Sequence, residues 1–440
     1  MTKYKFLFFC LTILLASNVL NAQTNGSNSS YSRFGLGTLN EQSQGFNKGM
    51  GGIGLGIRGG SRLNMQNPAS YSAIDSITLL MDAGFNASFG RMKNGGNSAN
   101  VTNCSIDYVN AGFHLARHLG LSVGFVPYST IGYNFSTEGK VGNEFTTAQA
   151  IKSQNTYRGD GGLHQVYLGA GWATVHDISI GANISYMWGA YSHDLTQTFT
   201  EGGSSAASYS GLSSTHEASL RTYKIDLGIQ YPFTVNKHDK VTVGVVAGLG
   251  HNMKNDATLT RYTSTGDSLH ILAKNAFDLP YSFGGGVSWE HNAKWLIAAD
   301  FKQELWSNCK TPVMHSGTAP TYIAEKGAYK NRTKIAIGGQ YVPDMTAKSY
   351  AKRMIYRVGT NYSTPYLKIN GQDGPSEYML TAGVGLPTPL NSSSKGTLVN
   401  VNVQWLHRAA HATNMITENY FILNLGVTIN ERWFQQFKIQ

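Results

Sequence analysis

Cysteine is nearly absent. Of 440 residues only three are cysteine, and one of them, Cys10, lies in the N-terminal leader described below. Cys104 and Cys309 are too far apart for zinc-type spacing, and whether they pair in a disulfide stays open from the sequence. Charge is scarce too, at 14% of residues. Beyond the leader no apolar run reaches the roughly 18 residues that a helical membrane span needs, which excludes an α-helical membrane domain. What the chain has in quantity is glycine, with 50 residues, and tyrosine, with 24. Few charges, much Gly and Tyr, and no long apolar run suit a β-barrel with one face in lipid and the other in water.

The leader reads "MTKYKFLFFCLTILLASNVLNAQ": Lys3 and Lys5, an apolar core from Phe6 to Ala16, then a polar approach to Ala22. This is the pattern of a secretory signal peptide over residues 1–22, cut before Gln23. The formal charge of +10 becomes +8 once Lys3 and Lys5 leave. A basic surface outside the cytoplasm suits lipopolysaccharide phosphates and outer-membrane lipids better than nucleic acid.

From Ser76 onward the chain alternates. Ile77, Leu79, Met81, Ala83, Phe85, Ala87 and Phe89 fall on one face, with Thr78, Asp82, Asn86 and Ser88 on the other. The same period of two recurs through Ile178–Trp188, Tyr223–Tyr231, Val241–Leu249, Tyr281–Trp289, Trp295–Phe301, Tyr378–Leu386, Val399–Trp405 and Phe421–Ile429. With the less regular runs near 104–115, 119–135, 163–173, 329–341 and 354–362, the pattern predicts about fourteen strands in a transmembrane antiparallel barrel. Short connections (116–118, 174–177, 234–239, 291–293) alternate with long ones (136–162, 192–216, 252–276, 307–327), as periplasmic turns and outer loops do. The domains expected are a signal peptide (1–22), an N-terminal lumenal segment (23–75), a barrel (76–434) and a short periplasmic tail (435–440). The apolar last strand would be the signal read by the barrel assembly machinery.

Three motifs imitate enzymes. Gly49-Met50-Gly51-Gly52-Ile53-Gly54 is a G-x-G-x-x-G with Asp75 some twenty residues on, but no strand precedes it and no helix follows, as a dinucleotide fold requires. Gly120-Leu121-Ser122-Val123-Gly124 matches a nucleophile elbow but sits within an alternating strand. His407 and His411 have zincin spacing, but Arg408 stands where the glutamate belongs. The reading is a non-enzyme with no cofactor and no metal. The glycines serve another purpose. A barrel this wide cannot fill itself with its own side chains. Glycine-rich backbone can thread a lumen and lie close to its wall, so 23–75 is the candidate plug.

"GMGGIGLGIRGGSRLNMQNPASYSAIDS" (49–76) resembles the N-terminal hatch of the FadL-type outer-membrane transporters, in which a glycine-rich stretch leads into an Asn-Pro-Ala motif before the first strand. Asn67, Pro68 and Ala69 match that motif, and "SSYSRFGLGTL" (29–39) is similar to the start of family members. Arg58 and Arg62 stand where the family often carries acidic residues. The resemblance implies passive uptake of small hydrophobic molecules such as long-chain fatty acids. It implies capture in a loop groove, an apolar pocket in the barrel, and sideways release through a kink in the third strand. Pro127 marks that place in this chain, with Gly124 beside it. Proline lacks the N–H of a paired strand, and the alternation slips between Phe125 and Val126, as at a bulge. The same fold class also resembles the outer-membrane subunit of the type IX secretion system, which implies a non-transporting shuttle or scaffold as the alternative; a loop-displayed adhesin is a weaker one.

Overall fold

The computed structural model describes residues 28–141, 151–174, 177–200, 208–209, 211–262, 266, 268–315, 320–388, 394–411 and 415–432. The signal peptide at 1–22 and the tail at 435–440 lie outside them. Fourteen strands form the wall: β1 (Thr78–Asn94), β2 (Asn97–Ala116), β3 (Leu119–Val141), β4 (Ile151–Ala173), β5 (Ser179–Thr200), β6 (Ser213–Thr234) and β7 (Asp239–Gly248). The second half is β8 (Ser282–His291), β9 (Trp295–Glu304), β10 (Arg332–Tyr341), β11 (Ile355–Ser363), β12 (Ser376–Pro387), β13 (Ser394–Ala409) and β14 (Thr417–Arg432). Each pairs antiparallel with the next, and β1 closes on β14 from Thr78↔Arg432 to Lys93↔Thr417.

Alternation decides the two faces. Ile184, Leu227, Val245, Ile337, Val358 and Phe421 stand on the outside, exposed. Asn110, Asn183, Gln230, Gln340, Asn402 and Asn424 point inward and are buried. A polar interior and an apolar exterior are the reverse of a soluble core, as lipid outside demands. No helix among the described residues is long and apolar enough to cross a membrane. Because the closed ladder leaves no cheap route to unfolding, the barrel is expected to survive cold detergent and to shift its gel mobility only after boiling. Absence of a shift would contradict the membrane-barrel reading.

The connections differ from expectation. Much of 136–162 and 192–216 is strand, because β3–β4 and β5–β6 run on beyond the apolar band. There both faces are polar, so no alternation betrays the strand. Within 252–276 a hairpin (Ala257–Tyr262 with Ser268–Ala273) pairs back onto β6 and extends the wall. The first outer connection is only Gly95–Gly96, and one connection at the opposite end carries a short helix, Tyr350–Arg353, so the short–long alternation is not strict.

Residues 28–75 pack against the inner faces of strands all round the wall. A 3₁₀ turn at Pro68–Ala73 touches β2 through β6, and the single helical turn Gly45–Lys48 touches β1, β12, β13 and β14. Only by lying inside a closed barrel can so short a segment reach both sides. Glycines make the contact on each side. Gly51 and Gly52 have φ of +71° and +74°, a region other residues rarely enter. Wall glycines receive the segment: a Cβ on Gly244 would stand 1.9 Å from the Leu55 carbonyl oxygen, and one on Gly181 2.4 Å from the Pro68 carbonyl carbon. The glycine-rich motif at 49–54 is therefore a packing device.

The loop end is closed by an apolar cluster. Tyr31 and Leu36 of the N-terminal segment meet Ile131, Leu163, Met187 and Tyr191 of the wall, and Phe277, Trp306, Tyr322 and Leu367 of the loops. Cys309 is buried here, and burial pushes its thiol up to about 12, where it stays protonated and inert. Cys104 is exposed on β2, and both cysteines are free.

Candidate functional site

Asn67 shows how the hatch-like motif works locally. Its side-chain oxygen accepts the Ala69 N–H at 3.2 Å and caps the 3₁₀ turn, with Pro68 at the first position, where a missing N–H costs nothing. Its amide nitrogen donates to Leu55 O at 2.9 Å and to Ile229 O of β6 at 3.2 Å. One side chain thus ties the turn, the rest of the lumenal segment and the wall together. Arg58 donates to Ser179 Oγ, and Arg62 lies 5.7 Å from the Phe46 ring centroid. Burial lowers the pKa of both guanidinium groups, with Asp177 and Glu290 acting in the opposite sense. Neither arginine lines the main cavity.

Pro127 sits at a break in the wall. β3 pairs with β2 from Ala116↔Leu119 to Val109↔Phe125 and no further. Against β4 the register jumps from Pro127↔His164 to Ser129↔Leu163, leaving Tyr128 as the extra residue of a bulge. The inward phase changes there, from Ser122, Gly124 and Val126 to Ser129, Ile131 and Tyr133. A second bulge, which sequence reading missed, lies across the gap: Asp107 is skipped where β2 pairs with β1. Bulges bend strands and end pairing, and these two face each other just above the last shared rung. Gly124 lies below the parting, still paired with β2. A Cβ there would meet Asn110 Oδ1 at 2.0 Å, so it packs inward and does not border the opening.

The N-terminal segment spans the gap from inside. Thr38 and Leu39 pair with Thr130 and Ser129 of β3, Asn40 N donates to Tyr128 O at 3.0 Å, and Gln42 Nε2 donates to Pro127 O at 2.9 Å. Asn28 reaches Asn103 of β2 at 2.9 Å. Ser29 Oγ donates to both oxygens of Glu418, which is fully buried and also paired with Arg408 at 3.0 Å.

A cavity of about 500 Å³ lies between this segment and the wall. Ile106, Phe125, Pro127 and Tyr128 line it, so it extends to the parting of β2 and β3. The lining is mixed, with Leu39, Leu55, Met65, Val246, Met379 and Leu406 among its apolar side chains. Six Lys or Arg and six Asp or Glu line the same cavity. They pair as Lys48–Asp107 at 3.2 Å, Lys302–Glu304 at 2.9 Å, Arg332–Glu377 at 3.0 Å, Arg408–Glu377 at 2.9 Å, Lys224–Asp226 and Lys334–Glu41. Alternation brings them there: strands that are apolar outside turn polar residues in, while the buried apolar side chains of the interior gather in the loop-end cluster and in two clusters between the lumenal segment and the wall, one with Leu63, Tyr71 and Tyr108 and one with Phe46, Met50 and Ile53. These charges were legible in principle. Lys302 and Glu304 fall in the phase opposite to outward Phe301.

The motifs that imitate enzymes take structural places. Ser122 Oγ donates to Ala111 O at 3.1 Å and meets the Tyr167 hydroxyl at 3.0 Å. His407 bonds Asn419, and His411 bonds Ser376.

Three solved structures share the architecture. The Pseudomonas aeruginosa FadL homologue matches with a TM-score of 0.60 at 10% identity, over 89% of this chain and 99% of that one. The Ralstonia pickettii toluene transporter TbuX matches with 0.58 at 14% identity, over 89% and 99%. The Pseudomonas putida toluene transporter TodX matches with 0.54 at 14% identity, over 91% and 100%. At such identities the likeness is one of fold. No curated protein matches the chain by sequence. The model of one protein family, BamG, matches residues 1–440.

Proposed function

The chain belongs to the BamG family, and we propose that it is a channel in the outer membrane of a Gram-negative bacterium, passing small hydrophobic molecules such as long-chain fatty acids without an energy source. The observation that carries this is the parting of β2 and β3 at Pro127, reached by the lumenal cavity. At the parting, β3 trades rungs with β2 for contacts with the lumenal segment at Pro127, Tyr128, Ser129 and Thr130, so that segment is placed to cover or uncover the gap. The transporters that share the fold carry hydrophobic compounds, which agrees with a path to lipid. Asn67, Pro68 and Ala69 would hold the hatch, and Pro127 would mark the exit. The proposed contacts are outer-membrane lipids, lipopolysaccharide, the hydrophobic ligand and, during biogenesis, the barrel assembly machinery.

Deleting Tyr128 tests the exit. It removes the extra residue of the bulge while keeping Ser129 inward and opposite Leu163. The strand should straighten, β3 should pair with β2 beyond Phe125, and uptake of a labelled fatty acid into proteoliposomes should fall severalfold or more. A heat-modifiable variant that transports at the parent rate would rule the exit out.

The second reading, a non-transporting subunit of a protein secretion system, draws support from the filled lumen and the apolar closure of the loop end. It predicts no uptake by either form.

A further inference from the structure

The turn end of the barrel is uneven. β8 and β9 are joined by a tight turn, but β10 and β11 are joined through the longer stretch 342–354, which holds the short helix Tyr350–Arg353. On the outer face above it stands one rung of aromatic residues. Trp295 is directly opposite Tyr341, and Tyr341 is directly opposite Tyr356. The rings of Trp295 and Tyr341 lie 4.2 Å apart, and Trp295 and Tyr356 are exposed. Further along the same three strands the outward positions carry Ile297, Ile337 and Val358. The aromatic rung therefore marks the level where the apolar band gives way to lipid head groups.

The stretch 342–354 is held on the lipid side of this rung. The hydroxyl of outward-facing Tyr356 donates to Ala351 O at 2.9 Å, which draws the short helix beneath the outer face of the wall. Asp344 N donates to Lys352 O at 2.9 Å, and Val342 N donates to Lys294 O at 2.8 Å, so the stretch is closed on itself and tied to the turn before β9. Met345 and Tyr350 are exposed on it.

Charge here is one-sided. Lys294, Lys348, Lys352 and Arg353 stand with a single carboxylate, Asp344, because Glu290 turns inward to a small cavity it shares with Arg62. Asp344 is already engaged: Thr346 donates to its Oδ1 from its N–H at 2.9 Å and from its hydroxyl at 2.7 Å. Those bonds, with Lys294 and Lys352 beside them, hold its carboxyl below the usual range. Among the described residues none of the four cations is in an ion pair. Arg353 lies instead 5.4 Å from the Tyr350 ring centroid, and the three lysines are exposed. Unpaired cations beside exposed Met and Tyr, at the height of the head groups, are the composition of an interfacial anchor. An acidic soluble protein would answer the cations but would offer no acyl boundary to Met345, Tyr350 and the aromatic rung.

We infer that this stretch binds an anionic phospholipid of the periplasmic leaflet, with the phosphate held by Lys294, Lys348 and Lys352 and the glycerol and upper acyl region packed on Met345 and Tyr350. This deepens the proposed contact with outer-membrane lipids and rests on the outer-membrane reading, not on an exit at Pro127.

Binding to the full-length protein in a non-ionic maltoside detergent, read by native mass spectrometry, tests it. The probes are phosphatidylglycerol and phosphatidylethanolamine of equal chain length, and glycerol phosphate as the free head group. Phosphatidylglycerol should bind about tenfold tighter than phosphatidylethanolamine or better, since each cation near a lipid phosphate contributes roughly a fivefold factor. The preference should fade at high salt. Glycerol phosphate should bind far more weakly, since it has no tail. Joint Lys348→Gln and Lys352→Gln substitution should cut the preference about tenfold, joint substitution of both by Arg should keep it, and Lys274→Gln at the loop end should leave it unchanged. A photoactivatable phosphatidylglycerol should label 342–354. If the glutamine variant does not fold, Lys294→Gln and the labelled peptide give an independent reading. Equal binding of the two lipids would leave the cations to an acidic protein and overturn the inference. Equal binding of the free head group, labelling only elsewhere, or a folded glutamine variant that keeps the preference would overturn it as well. Uptake separates the two claims. A chain that prefers phosphatidylglycerol at this stretch but transports nothing keeps this inference and loses the channel, and a transporter without the preference does the reverse.

Discussion

Removing residues 23–75, with the signal peptide kept, should raise the conductance of the barrel in a planar bilayer by roughly tenfold or more, because a wall of fourteen strands is too wide to fill itself. The intact chain should be nearly silent, since the segment crosses the lumen and meets the wall on every side. Cells carrying the deletion should also become sensitive to bulky polar antibiotics. The wall has reason to survive the loss. Its rungs are strand-to-strand, and the plug substitutes for a neighbouring strand along β3 at Pro127 to Thr130, where Thr38, Leu39, Asn40 and Gln42 bond its backbone. The polar inner side chains that now bond the plug, such as Asn402 to Gly45 O and Asn361 to Gly51 O, would turn to water. A folded, heat-modifiable deletion with unchanged conductance would show that the segment does not occlude the pore.

Gly359→Leu should displace the plug without touching its sequence. Gly359 and Gly338 are direct cross-strand partners and form a flat seat for Met50 and Gly51. A Cβ on Gly359 would lie 2.2 Å from the Met50 carbonyl carbon and 2.4 Å from the Gly51 nitrogen. The atoms met are backbone, which cannot rotate away, so the cost belongs at or above the top of the roughly 1–3 kcal/mol range for overpacking. Protease should then cut the lumenal segment in a barrel that is still folded, and conductance should approach that of the deletion. Gly285→Leu is the control. A Cβ there meets nothing closer than 3.9 Å, so a leucine would point outward at little cost. If both variants behave like the parent, the glycine seat does not hold the plug.

Strand number, inward and outward faces, and the bulge at Pro127 follow from the sequence alone, because each is a local property. Period-two alternation needs only neighbours along one strand, and a proline announces a missing donor wherever it stands. The same locality hid the extensions of β3 to β6, where polar residues occupy both faces. The bulge at Asp107 carries no proline; its one local mark is the change of outward phase from Cys104 and Ile106 to Val109. Which strands part, what spans the gap, and what lines the cavity were decided by tertiary structure. Lys302 opposes Lys334 only because β9 and β10 adopt one register. Asp300 meets Gly54 and Leu55 only because the lumenal segment comes to rest beneath it. Those contacts join residues separated by a few tens to hundreds of positions, and a charge read along one strand carries no sign of the charge it will face.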